Sequence, residues 1–341
     1  MESNRPRLLV LDDYEGQLAA APAMTRLRTL ADVTILDRPL MAADQAILQE
    51  SQVILALRER TTLDAHFFAA CPNLELVLQT GGHAYHVEQA AATQRGIIVA
   101  LGRRATQPTV AVPELAFALL LGLMRQIHPL TNRMAQGEWP QSMGGTLAGR
   151  TLGILGYGRH GRPIARIAAA FGMKIVVWDR TGAAKPEDPG IQRLPLDALL
   201  ACADVVSIHL RLSDESRGLL NRERLALMKP TAFLINTARG AIVDEEALVD
   251  ALREQRIAGA GLDVFVTEPL PATSPLRTLP NVLLTPHIGW QVSEVLQEFT
   301  AIAADQLDQW LHGQLAPAEV LNPAAIETPR QRAGSLAHEG N

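Results

Sequence analysis

Between Thr151 and Asp179 the chain reads strand, glycine turn, helix, strand and acid, an order that leaves little freedom in how its surroundings fold. Thr151–Leu155 is a short apolar run suited to a buried strand. It ends in Gly156-Tyr157-Gly158-Arg159-His160-Gly161, a G-x-G-x-x-G pattern. Ile164, Ile167, Ala168 and Phe171 follow at helical spacing. Lys174–Trp178 is then a second β-rich run, and it stops at Asp179, close to the roughly 20-residue interval at which a ribose-binding acid stands. Each part has a physical job if the ligand is a dinucleotide. Gly156 permits a tight turn, Gly158 lets backbone N–H groups approach a pyrophosphate, and Gly161 lets helix and strand pack closely. The helix N-terminus adds unpaired donors and partial positive charge. Asp179 can accept from both ribose hydroxyls and repels a 2′-phosphate, which favours NAD over NADP, while Arg180 beside it pulls the other way. Pro163 lies early enough in the helix to be tolerated.

A length of 341 residues allows two domains with well-buried cores. The net charge of −5 offers no basic excess to neutralise phosphates, so neither nucleic acid nor a membrane surface is an expected partner. A small anionic ligand would need a local cluster of arginines. Cys71 and Cys202 stand far apart without metal-ligand spacing, and they read as reduced thiols of a cytoplasmic protein that holds no metal. MESNRPRLLVLDD has no apolar core of signal-peptide length, and no run approaches a membrane span.

Along the chain, apolar runs at Leu8–Leu11, Val33–Leu36, Val53–Ala56, Leu74–Leu78 and Ile97–Ala100 alternate with helix-compatible segments. That alternation predicts a parallel sheet with helices on both faces. The glycine-rich stretch Gln79–His86 follows the fourth run, where it is either a site for backbone N–H groups or a plain turn. Pro113–Ala135 reads as one long helix that Pro129 kinks toward its end, and 137–149 as a glycine-rich excursion. The apolar faces of the long helix make dimerisation an expectation. Further strands are expected at Asp204–His209, Ala232–Asn236, Gly259–Val264 and Val282–Leu284, with Asp244 capping the helix that runs to Leu252. Helix-forming sequence covers Ser293–Leu311 and then Glu319–Asn322, and the polar Gln331–Asn341 is expected to fray.

Three chemically suggestive residues fall at expected strand ends: Arg239 in I-N-T-A-R-G, Glu268 in D-V-F-V-T-E-P and His287 in T-P-H-I-G. Singly, each is an ordinary loop residue. Parallel sheets gather functional groups at the carboxyl ends of their strands, so the three can converge. Histidine exchanges protons near neutral pH, a carboxylate on its other nitrogen orients it, and an arginine fork grips a carboxylate while polarising a neighbouring carbonyl.

The order of G-Y-G-R-H-G, I-N-T-A-R-G, D-V-F-x-x-E-P and T-P-H-I-G resembles the D-isomer-specific 2-hydroxyacid dehydrogenase family over about Leu8 to Asn322. The resemblance implies an α/β fold of two doubly wound domains with parallel sheets. In it, a Rossmann-type NAD domain (102–289) is inserted into a flavodoxin-like substrate domain made of 1–101 and 290–341. It implies hydride exchange between NAD and C2 of a small 2-hydroxy or 2-keto acid, with Arg239 on the substrate carboxylate, His287 as acid/base and Glu268 as its partner. Substrate contacts are implied for Gly81, Gly82 and His83. Cofactor contacts are implied for Gly156, Gly158, Arg159, His160, Gly161, Asp179, Leu210, Thr237, Ala238, Asp263 and Gly289. Family members are usually homodimers. Two departures leave the particular acid open: His83-Ala84-Tyr85-His86-Val87-Glu88 replaces the frequent G-x-D-N-x-D, and Arg211 stands where a proline is usual. The alternative within the same resemblance is an NAD(H)-responsive, corepressor-like binding protein with little catalysis.

Overall fold

Runs such as Val53-Ile54-Leu55-Ala56 have no polar face, and in the computed structural model they lie in parallel sheets that shield both sides. The structure describes residues 5–180 and 190–327. Two units divide the chain: Met1–Gln107 with Ser293–Asn341, and Pro108–Val292.

The first unit holds β1 (Arg7–Val10), β2 (Asp32–Ile35), β3 (Val53–Ala56), β4 (Leu76–Gln79) and β5 (Ile98–Leu101). All pairs are parallel in the order β2-β1-β3-β4-β5, the flavodoxin-like arrangement. The helix Ser293–Leu311 returns to this unit. It buries Val295, Phe299 and Leu307 in it, and Arg26 fastens it through Asp305 and Asp308. The expected domain break at residue 101 falls later in the structure. The Gly102 N–H donates to the Gln79 carbonyl at 2.9 Å, and the Thr106 and Gln107 N–H groups donate to the Glu298 carboxylate, so 102–107 stay with this sheet.

Glu319–Asn322 does not continue a helix. Leu321 N–H donates to the Val99 carbonyl at 2.8 Å, and the Asn322 side chain accepts from Val99 N–H and donates to the Ile97 carbonyl, so the segment runs beside β5. Pro323 disfavours helical backbone at Asn322, which explains the difference. The expectation for Gln331–Asn341 lies outside the described residues.

The second unit holds β6 (Thr151–Leu155), β7 (Lys174–Trp178), β8 (Ile191–Arg193), β9 (Val205–Ile208), β10 (Phe233–Asn236), β11 (Gly259–Leu262) and β12 (Val282–Leu284). They form one parallel sheet in the order β12-β11-β10-β9-β6-β7-β8. Reading outward from β6, this is the doubly wound dinucleotide-fold order with one added strand, and its switch point lies between β6 and β9. Sequence patterning does not reveal β8, because three residues at a sheet edge with a polar residue in the middle carry no usable period.

Pro113–Ala135 is not one helix. Helix Pro108–Met124 covers β10, β11 and β12. Gln126 then turns left-handed (φ 53°), and a second helix, Ile127–Ala135, leaves at 64°. The ring of Pro129 would meet the carbonyl four residues back in a continuous helix, so the break precedes it and the proline sits in the new first turn, where no N–H is needed. Pro113 is carried inside the first helix. Among the described residues no single helix is long and apolar enough to cross a membrane; these two meet that test only together, across the bend. Phe117 of the first helix stacks on Phe171 at 5.4 Å, joining it to the glycine-loop helix Gly161–Ala170. Among the described residues Asp244 accepts from Ala247 N–H at 3.0 Å and caps Glu245–Arg253, as its sequence predicts.

Candidate active site

The functional side chains of the second unit follow the carboxyl ends of its strands. Asp263 directly follows β11 and is 1 % exposed. Its Oδ1 accepts from Thr285 Oγ1 (2.6 Å) and Ile288 N–H (2.8 Å), and its Oδ2 accepts from Gly289 N–H (2.9 Å). Both oxygens therefore fasten the loop after β12, the loop that carries His287. Burial pushes the Asp263 carboxyl up, against those hydrogen bonds and the nearby His287.

Within the fastened loop His287 adopts a left-handed backbone (φ 56°), an uncommon state for a residue with a side chain. Its Nδ1 lies 2.6 Å from Glu268 Oε2, while Glu268 Oε1 accepts from Phe265 N–H at 2.8 Å. Burial would raise the Glu268 carboxyl. The His287 hydrogen bond and charge, the Phe265 N–H and the Arg239 charge outweigh it and hold Glu268 below the ordinary glutamate range. With an ionised carboxylate accepting, Nδ1 carries the proton and Nε2 is the nitrogen left for exchange. Arg239, after β10, is half-buried in extended backbone; its carbonyl accepts from Asn236 Nδ2 and its Nη1 donates to the Ala238 carbonyl. The Asn236 Oδ1 in turn accepts from Ala238 N–H at 3.0 Å, which fixes the turn. Thr237 Oγ1 is buried beside it without a hydrogen-bond partner.

At the switch point Gly156 has φ 99°, and a Cβ there would sit 2.7 Å from the His209 carbonyl oxygen and 3.0 Å from Leu210 Cδ2. A Cβ on Gly161 would sit 2.1 Å from the Gly156 carbonyl oxygen, whereas one on Gly158 would meet nothing within 4 Å. The turn is thus packed shut beneath and open above. This cradle, the N-terminus of the Gly161–Ala170 helix at His160, and the orphaned Thr237 hydroxyl suit an extended dinucleotide diphosphate. Arg159 is exposed at the loop's tip. Pro163 occupies the third helical position and removes only a donor that has no intrahelical partner. Burial, reinforced by His160, pushes the His209 ring down to about 3, and it stays neutral beneath the loop with Nε2 2.8 Å from Ser207 Oγ. Asp179, after β7, is ion-paired with Arg193 at the end of β8.

In the first unit Gly81 (φ 87°) follows β4, and a Cβ there would lie 2.0 Å from Arg58 Nη1. Gln79 Nε2 donates to the carbonyls of Arg58, Thr80 and His83, holding the Gly81-Gly82-His83 turn. His83 stacks on Tyr85 at 5.5 Å. Sequence reading missed Asp12 and Arg58, which follow β1 and β3 at the same sheet edge. With His287 they are three of the five non-glycine residues of positive φ among the described residues. Asparagine, aspartate and histidine take up this conformation more readily than other side chains, but residue type alone does not mark which of them do so.

A doubly wound parallel sheet with a glycine turn at its switch point defines the dinucleotide-binding class of domain. Residues 117–289 match the family model "D-isomer specific 2-hydroxyacid dehydrogenase, NAD binding domain". The chain is 36% identical to a glyoxylate reductase of Thermofilum pendens over 92% of its own length and 96% of that protein. It is also 36% identical to a D-3-phosphoglycerate dehydrogenase of Mycobacterium tuberculosis over 92% of its length, spanning 58% of that longer protein. The crystal structure of a phosphoglycerate oxidoreductase from Vibrio cholerae superposes with a TM-score of 0.82 at 32% identity, over 90% of this chain and 99% of that one. The chain belongs to the D-isomer-specific 2-hydroxyacid dehydrogenase family.

Proposed function

We propose that the chain reduces small 2-keto acids, or oxidises the corresponding D-2-hydroxy acids, with NAD(H). The observation that carries this reading is the Glu268–His287 contact, presented by a loop that Asp263 locks in place. In the keto-acid direction NADH supplies the hydride taken up at C2. Arg239 holds the substrate carboxylate and polarises the adjacent carbonyl oxygen. His287 gives that oxygen a proton from Nε2, and Glu268 stabilises the imidazolium before transfer. Asp263 acts through the loop, as a positioning residue. Gly156, Gly158, Arg159, His160, Gly161, Leu210, Thr237, Ala238 and Gly289 line the cofactor's path, and Asp179 meets its adenosine ribose. In the first unit, Gly81, Gly82 and His83 supply substrate contacts. The exposed Ile127, Met134, Trp139 and Met143 support a homodimer.

The test is loss of NADH absorbance across a panel of 2-keto acids. His287→Ala is expected to lower kcat by about 10²–10⁴ with little change in NADH affinity. Turnover in that variant equal to wild type would sink the mechanism. NADH binding without turnover on any acid would favour the binding-protein alternative.

A further inference from the structure

The adenosine end of the site differs from what its sequence predicts. Asp179 stands in the sequence as an acid whose only charged neighbour is Arg180, yet in the fold its Oδ2 is ion-paired with Nη1 of Arg193. Val177 of β7 is in register with Arg193 of β8, so Asp179, two residues on, points to the same face as the arginine and is its diagonal neighbour. Both side chains are largely enclosed, 18 and 23 % exposed. The Arg193 guanidinium carbon also lies 5.7 Å from the centre of the Tyr157 ring, and that of Arg162 lies 4.8 Å from it, so two cations flank the first variable residue of the glycine turn. Arg180 is placed differently. It is mostly exposed and reaches Glu215 at 3.1 Å.

An isolated carboxylate rejects a ribose 2′-phosphate through like charge. Paired with Arg193, Asp179 presents a dipole instead, and the arginine commits one N–H to it out of the five its fork carries. Arginine forks are the side chains best shaped to grip phosphate oxygens. We propose that Arg193 sets the discrimination at the cofactor's adenosine ribose, so that the site takes the 2′-phosphorylated dinucleotide as well as the unphosphorylated one. This rests on the dinucleotide reading of the Gly156–Gly161 turn. The residue responsible lies on β8, outside the glycine turn and away from the acid in sequence.

Calorimetric titration of the whole chain with 5′-AMP and with adenosine 2′,5′-bisphosphate tests the proposal without any substrate. The wild-type protein is expected to bind both, with dissociation constants within about tenfold of each other. Arg193→Gln is expected to shift their ratio by about tenfold or more against the bisphosphate, through loss of one charge-assisted contact and exposure of the Asp179 charge. Arg193→Lys keeps the charge, guards against a folding defect in the glutamine variant, and is expected to retain most of the wild-type ratio. The ratio of kcat/KM for NADPH and NADH is expected to move in parallel. An unchanged ratio in Arg193→Gln overturns the proposal, as does a wild-type protein that binds 5′-AMP but not the bisphosphate. Binding of neither nucleotide overturns the dinucleotide reading itself, and this inference with it.

Discussion

At His287 one residue holds the imidazole and two hold the loop that carries it: Glu268 meets Nδ1, while Asp263 bonds Thr285 and the Ile288 N–H. Because Glu268 is held below the ordinary value of 4.5, its contribution to stability is complete above that value and is lost as pH falls through the lower, folded value. Glu268→Gln should therefore melt below wild type at about pH 7, with the difference closing in the region under about pH 4. A gap of constant size across that range would show that the carboxylate charge contributes nothing. The same substitution should lower kcat, because the imidazolium loses its counter-charge. Arg239, Glu268 and His287 could be singled out as candidates in the sequence because each follows an expected strand and lies in a motif of the family, not because any of them announces itself alone. Asp12, Arg58 and Arg193 were not legible. Their significance lies in a backbone angle or in a partner on the neighbouring strand, and neither is written in the residues beside them.

The stretch from β6 through the Gly161–Ala170 helix to β7 was the most legible element, since its glycines, apolar period and acid all point to one arrangement. Where elements were misread, a local rule met a long-range one. Pro129 announced a disturbance, but the helix ends at the left-handed Gln126 so that the proline can open a new first turn. β8 and the segment beside β5 are held by their neighbours' backbone groups, and nothing in their own pattern marks them. The tight contact inside the glycine turn gives a prediction at this scale. Gly161→Ala pushes a methyl group to 2.1 Å from the Gly156 carbonyl oxygen, so it should cost about 1–3 kcal/mol and weaken 5′-AMP binding together with stability. Urea unfolding monitored by circular dichroism checks the first effect. A variant with wild-type stability would mean that helix and strand separate freely at that point.

For the molecule as a whole, the chief fact is that one unit is contiguous and the other is assembled from both sides of it. The contiguous fragment 108–292 contains its whole sheet and both faces of its core. Expressed alone, it is expected to unfold cooperatively, whereas 1–107 without Ser293–Leu311 leaves the cover of Phe299 and Leu307 missing and is expected to lack a cooperative transition. Thermal melts of the two fragments decide this; a cooperative 1–107 would show that the returning helix is dispensable. The sequence made both sheets legible, but it placed the crossing points several residues away from where Glu298 ties down Thr106 and Gln107. The discontinuity also sets a timetable. Residues 1–107 leave the ribosome before the whole inserted unit, and the helix Ser293–Leu311 that closes their sheet emerges only after it, so the inserted unit can finish folding while the older part of the chain still waits. Throughout that wait β4 and the short helices Gln17–Ala20 and Met24–Leu30 lack the helix that packs on them, which makes the period of synthesis, rather than the finished protein, the time at which this chain is most exposed to aggregation or to capture by chaperones.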